Sequence, residues 1–202
     1  MDSDNPSPRG PAVSESRPGP GGLPARVVLV ADGDPAVTDE LAVVLQDDYS
    51  VRTAYDSADA IVSLDASVGV VLLDPQLPGL SARQVLDRVT RDAVDCQVAA
   101  LAADADSVPD ATDFDAVLVK PVEPDELTAT VDRLDRRAAY RTALEEYYSL
   151  AERYATLAAG DTDRERVADR LATLRSRLDE LHDTLDTREA YDVALRELRS
   201  DS

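Results

Sequence analysis

Three ionisable residues stand directly after short apolar runs: Asp32 after Val27-Val28-Leu29-Val30-Ala31, Asp74 after Val70-Val71-Leu72-Leu73, and Lys120 after Val117-Leu118-Val119. A carboxylate bounded by a second acid and an ammonium suits two partners, a divalent metal and a phosphoryl group in transfer. Mg²⁺ takes oxygen ligands, an ammonium neutralises phosphoryl oxygens, and one carboxylate can serve as the nucleophile. Each of the three could equally be a solvated polar cap on a strand. That plain reading is weakest for Lys120, the chain's only lysine, because arginine supplies every other basic position. An ammonium is a compact point charge, which a guanidinium is not.

The elements that must position these residues alternate along the chain. Continuous apolar runs of this length fill buried parallel strands. Such a run begins at Arg26, and the alternating pattern that follows predicts further strands over Ser50 to Ala54, Val68 to Leu73, Gln97 to Ala102 and Ala116 to Val119. Helical patterns lie between them. One runs from Pro35 to Gln46 with Val37, Leu41, Val44 and Leu45 inward, and Pro35 suits its first turn. A second carries Ala60, Ile61 and Leu64, a third spans Ala82 to Arg91, and a last begins near Pro124. Ala103 to Asp115, with Pro109 and many aspartates, suits only a short or poorly formed helix. Strands alternating with helices make a parallel sheet covered on both faces. Ligands of such sheets bind at the carboxyl ends of the strands, where Asp32, Asp74 and Lys120 all fall.

At this point the sequence resembles the receiver domains of response regulators. Val-Leu-Val-Ala-Asp32-Gly33-Asp34-Pro35 is similar to the acidic-pocket motif. Val-Val-Leu-Leu-Asp74-Pro-Gln-Leu-Pro78-Gly79 is similar to the phosphoacceptor motif, and Leu-Val-Lys120-Pro121 to the lysine motif, which usually has a cis Lys–Pro bond. The resemblance implies a flavodoxin-like, doubly wound α/β domain with a five-stranded parallel sheet over residues 25–136. It implies that Asp74 accepts a phosphoryl group from a sensor histidine kinase and that Lys120 pairs with that group. Asp32, Asp74 and the backbone carbonyl of Gln76 would hold Mg²⁺. Three departures stand out. The second acid after strand one, a metal ligand in the family, is Gly33, with Asp34 one residue later. The Thr or Ser closing strand four is Ala102, and the aromatic switch residue is Val117. These departures favour an alternative, a pseudo-receiver serving as an interaction scaffold without phosphotransfer. Asp32-Gly33-Asp34 also fits the first motif of haloacid dehalogenase-type phosphohydrolases, but Pro35-Ala36 replaces the Thr and Gly that follow there.

Beyond Asp135 the composition shifts to Ala, Leu, Arg and Glu. Leu144, Tyr147, Leu150, Tyr154 and Leu157 form one helical stripe, which Gly160 interrupts. Thr162-Asp-Arg-Glu165 is a capping box, and Val167, Leu171, Leu174, Leu178, Leu181 and Leu185 form a heptad seam. Two antiparallel helices joined at Ala159 to Asp161 are expected. The seam offers intramolecular packing or a homodimer through Val167–Leu185. The run Arg136-Arg137-x-x-Tyr140-x-x-x-Leu144-x-x-Tyr147 resembles the HalX domain found after receivers in halophilic archaea. That gives an α-helical hairpin over 137–187 and a helical extension or tail over 188–202. Tyr147 and Tyr148 are read as core packing, and His182 as a solvated edge residue rather than a phosphotransfer histidine.

The bulk numbers narrow the function classes. Residues 1–24, rich in Pro, Gly and Ser, read as a disordered tail. A net charge of −20 repels phosphates, the basic residues are not clustered, and direct nucleic-acid binding is not expected. The acidic, lysine-poor composition fits a salt-in halophile, where molar salt shortens the Debye length to about 3 Å. One cysteine and one histidine exclude a disulfide framework and a His-rich metal centre. No apolar run approaches the roughly 20 residues that span a bilayer, and no signal peptide is evident. The expectation is a cytoplasmic signalling protein rather than an enzyme, with an unknown downstream protein and no membrane partner.

Overall fold

The computed structural model describes residues 27–91, 96–104, 108, 113–158 and 162–185. The expected tail, the helix joint at 159–161, the extension past 185 and most of the 103–115 segment lie outside the described residues.

Five strands form one parallel sheet: β1 (Val27–Ala31), β2 (Ser50–Ala54), β3 (Val68–Leu73), β4 (Gln97–Ala102) and β5 (Ala116–Val119). Their spatial order is β2-β1-β3-β4-β5, so the order reverses between β1 and β3. Every residue of β1, β3 and β4 is buried, because side chains alternate between two covered faces. On one face Leu29, Ala31, Val71, Leu73, Val98 and Ala100 pack beneath α2 (Ser57–Val62) and α3 (Ala82–Arg91). On the other, Val28, Val30, Val70, Leu72, Ala99 and Leu101 pack beneath α1 (Pro35–Leu45) and α4 (Pro124–Thr156). In α1, Leu41 and Leu45 are buried and Val37 and Val44 are half-buried, as the helical spacing requires.

The closing helix of the α/β domain does not end with it. α4 runs unbroken for 33 residues, about 50 Å at ~1.5 Å per residue. Leu127, Val131 and Leu134 of α4 are fully buried against the sheet, and Ala138 continues their spacing of four and three. Nothing in that stretch breaks a helix: there is no internal Gly or Pro.

α5 (Thr162–Thr184) returns antiparallel along the second half of α4. Arg164 faces Tyr154, Arg170 pairs with Glu146 at 2.7 Å, and His182 lies 6.4 Å from the Tyr140 ring. Val167, Leu174 and Leu185 are buried within the one chain, while Leu171, Leu178 and Leu181 are half-buried. His182 is exposed, as expected. Tyr148 corrects the sequence reading: it is 57% exposed while Tyr147 is half-buried. Neighbours on a helix point about 100° apart, so both rings cannot face one seam. Among the described residues no helix is long and apolar enough to cross a membrane.

Candidate functional site

The ladder continues one residue past three strands, and that continuation brings the site together. Asp32 N–H donates to the Ala54 carbonyl (3.1 Å), Asp74 N–H to the Ala31 carbonyl (2.9 Å), and Lys120 N–H to the Ala102 carbonyl (2.8 Å). The side chains of Asp32, Asp74 and Lys120 thereby converge at the carboxyl edge, beside the point where strand order reverses. Lys120 Nζ donates to Asp74 Oδ2 at 2.5 Å and lies 2.5 Å from Asp32 Oδ2. Asp32 is 2% exposed, and its Oδ2 has no aligned hydrogen bond beyond that ion pair. Its Oδ1 accepts from Asp34 N–H at 2.9 Å. Burial works against the charged form of Lys120, but the two carboxylates outweigh it and hold the ammonium above the usual lysine range.

Beyond the Lys120 bond to Oδ2, Asp74 is held at two further oxygens. Its Oδ1 accepts from Gln76 N–H at 2.6 Å, and its main-chain carbonyl accepts from Leu77 N–H at 3.0 Å. Gln76 therefore sits on the same turn as Asp74, with its side chain exposed. The Lys120–Pro121 peptide is cis, as in the motif it resembles.

The second acid of the motif has no side-chain replacement beside this triad. A Cβ on Gly33 would lie 2.8 Å from Pro78 Cδ and 3.1 Å from Pro78 Cγ. The volume beside Gly33 belongs to the proline ring. Asp34 does not compensate: it is the N-cap of α1, and its Oδ1 accepts from Ala36 N–H at 2.9 Å. Among the described residues no group of three His, Cys, Asp or Glu is arranged to hold a metal ion. Asp32 and Asp74 remain, and both already face one ammonium. Ala102 and Val117 occupy the positions read from the sequence, Ala102 buried and Val117 half-buried against the α2/α3 face of the sheet.

Two residues that the sequence reading passed over hold the loops on either side. Thr38, fully buried, donates from Oγ1 to the carbonyls of Asp32 (3.2 Å) and Asp34 (3.1 Å). Ser57, 2% exposed, donates its N–H to the Pro78 carbonyl (2.9 Å) and accepts from Leu80 N–H at Oγ (2.6 Å). Gly79 takes φ +105°, and a Cβ there would fall 2.3 Å from Ser57 Oγ. The Pro78-Gly79 pair announces a turn, but its contact with a serine on another element has no local signal.

Comparison with known proteins agrees with this arrangement. The response regulator receiver domain family matches residues 28–132, and the HalX domain family matches residues 136–195. A Haloferax volcanii protein described as a transcriptional regulator is 37% identical over 158 residues, 76% of this chain and 27% of that protein. This haloarchaeal relative accords with the acidic, lysine-poor composition. A response regulatory protein of Vibrio vulnificus is 32% identical over 129 residues, 61% of this chain and 53% of that protein. The chain thus spans about a quarter and about half of these two relatives. Among solved structures, a signal receiver domain from Vibrio parahaemolyticus has a TM-score of 0.53 at 23% identity, covering 60% of this chain and 97% of that one. A receiver domain protein from Clostridium thermocellum has a TM-score of 0.50 at 23% identity, covering 55% and 95%. Both show the shared fold. Receivers of this family typically bind Mg²⁺ and imply a histidine kinase partner. The chain belongs to the response regulator receiver family and carries a HalX domain after its receiver.

Proposed function

We propose that this protein is a response regulator that takes a phosphoryl group on Asp74 from a sensor histidine kinase and passes the signal to its HalX hairpin. One observation carries the reading: the lone lysine of an arginine-based chain sits 2.5 Å from Asp74 Oδ2 at the carboxyl edge of the sheet. In the transfer, a carboxylate oxygen of Asp74 attacks the phosphorus in line with the leaving imidazole. The P–O bond forms as the P–N bond breaks, and the imidazole departs with a proton. Lys120 neutralises the phosphoryl oxygens, while Gln76 N–H and the turn of residues 74–77 orient the nucleophile. The division into a receiver over 25–136 and a hairpin over 137–187 goes with this reading. α4 would be the output element, since its first turns lie on the sheet and its last turns carry α5.

A specific observation favours a second reading, the pseudo-receiver scaffold. Gly33 supplies no carboxylate, and Ala102 and Val117 supply neither the hydroxyl nor the aromatic ring through which receivers report phosphorylation. Intact-mass measurement after incubation with acetyl phosphate and MgCl₂ in molar KCl separates the two. Addition of one phosphoryl group, abolished in Asp74→Ala, is expected. No mass gain in either protein assigns the chain to the scaffold class.

A further inference from the structure

The stripe of α4 that carries the HalX resemblance is not the stripe that α5 covers most closely. Ala139 and Ala143 are buried, and Glu146, on the same row, pairs with Arg170 of α5. Arg137, Tyr140, Leu144, Tyr147 and Tyr154 lie on the next row round the helix, at spacings of three, four and seven. The contacts at its two ends show which part of α5 borders that row. Arg164 stacks over the Tyr154 ring, and His182 lies 6.4 Å from the Tyr140 ring. Arg164, Leu171, Leu178 and His182 share one row of α5. Leu144 and Tyr147 therefore stand across from Leu171 and Leu178 along one side of the hairpin. All four are half-buried, and they line an apolar groove between the two helices. Arg137 begins the same row; it is buried, and its Nε has no hydrogen-bond partner among the described residues. α5 ends level with it, since Leu185 is one turn past His182 and Arg137 one turn before Tyr140.

Residues 186–202 lie outside the described residues, yet the HalX family match runs on to residue 195. Their sequence does not continue the α5 seam. The heptad would next fall on Arg188 and Asp192, whereas the large apolar residues in helical spacing are Tyr191, Leu195 and Leu198. At about 100° per residue, a straight extension would turn those three away from α4. Asp186-Thr-Arg-Glu189, just before them, has the spacing that starts a new helix. We propose that residues 188–202 turn back as a third helix and fill this groove, with Tyr191, Leu195 and Leu198 seated on Leu144, Tyr147, Leu171 and Leu178. The length fits: residues 188–202 would span about 21 Å as a helix, and Tyr140 to Tyr154 spans about 21 Å of α4. The charge fits as well, because Asp186 and Glu189 bring carboxylates to the end of the groove where Arg137 is buried without an acceptor at Nε. The helical unit is then a three-helix bundle within one chain, and the groove is closed to a second copy. This holds whether or not Asp74 is phosphorylated.

The test is nuclear Overhauser spectroscopy on the full chain in molar KCl, with ¹³C-labelled leucine methyl groups. The Leu195 and Leu198 methyls should show contacts to the Leu171 and Leu178 methyls and to the Tyr147 ring. An isotope-filtered experiment on an equal mixture of labelled and unlabelled chains separates contacts within a chain from contacts between chains. Absence of the contacts overturns the proposal. Contacts found only between chains overturn it too, and give the groove to a second copy. Leu195→Asp with Leu198→Asp should speed amide hydrogen exchange at Leu171 and Leu178 by at least about tenfold and leave β1 and β3 unchanged. Unchanged exchange at both leucines overturns the proposal. Should faster exchange in β1 and β3 show that the double variant has unfolded, the wild-type contacts decide.

Discussion

The sheet and the hairpin are built to different standards of burial. Every residue of β1, β3 and β4 is buried, because helices cover both faces. In the seam of α5 only Val167, Leu174 and Leu185 are buried, and the leucines between them are half-open. A helix with one neighbour covers one stripe and leaves its flanks in water. The contrast separates two tasks. Placing an ammonium 2.5 Å from two carboxylates requires a support that does not yield, and packed sheets are such supports. The hairpin, with less burial, belongs to the part of the molecule that opens at lower cost. α4 joins the two, its first half in the sheet core and its second half under α5.

Cavity-forming substitutions test that contrast with the largest expected effect. Leu72→Ala, at a fully buried position in the sheet, should cost about 3–5 kcal/mol. Leu174→Ala, 2% exposed in the seam, should cost about 2–3 kcal/mol because its surroundings can collapse. Chemical denaturation in molar KCl measures both, and equal losses would remove the distinction.

The docking of the first half of α4 on the sheet domain gives the next largest effect. Tyr49 Oη donates to Asp132 Oδ1 on α4 in a short hydrogen bond. Tyr49→Phe should cost about 1.5–2 kcal/mol at neutral pH, in the range for hydrogen bonds to charged groups. Burial first, and then Asp132 as acceptor and as a nearby charge, push the Tyr49 phenol far above its ordinary value of 10.0. The folded state therefore keeps a proton that the unfolded chain gives up above about pH 10. This contribution is complete below pH 10 and declines above it. The gap between wild type and Tyr49→Phe should accordingly narrow as pH rises past 10, and a constant gap would exclude the linkage.

The smallest expected effect lies at the tip of the hairpin. Arg164 stacks 4.1 Å over the Tyr154 ring and donates to the carbonyls of Tyr154 and Leu157 at the end of α4, where the Tyr154 carbonyl also accepts from Leu157 N–H. Arg164→Ala should cost about 0.5–1 kcal/mol. Amide hydrogen exchange should rise in α5 and at the end of α4 while the sheet stays unchanged. Faster exchange in β1 or β3 would mean that the two regions open as one unit.

Much of this architecture was legible locally. The sequence pattern located β2 to β5 to the residue, and alternation of strands and helices placed Asp32, Asp74 and Lys120 at one edge. Helical spacing found the hairpin. The composition shift at Asp135 marks a change of partner but not a break in the backbone, since Leu127, Val131, Leu134 and Ala138 keep one stripe across it. Tyr148 was misread because a short aromatic run does not say which of its members faces the seam.

The amino-acid sequence by itself determined the order of elements, the strand ends and the presence of two acids and one lysine there. Propensity and periodicity act within a few residues, so they survive in a linear reading. Only the tertiary structure decided that one ammonium serves both acids and that Pro78 fills the space beside Gly33. Those are contests for the same volume or the same hydrogen bond between segments distant in the chain, and packing settles them.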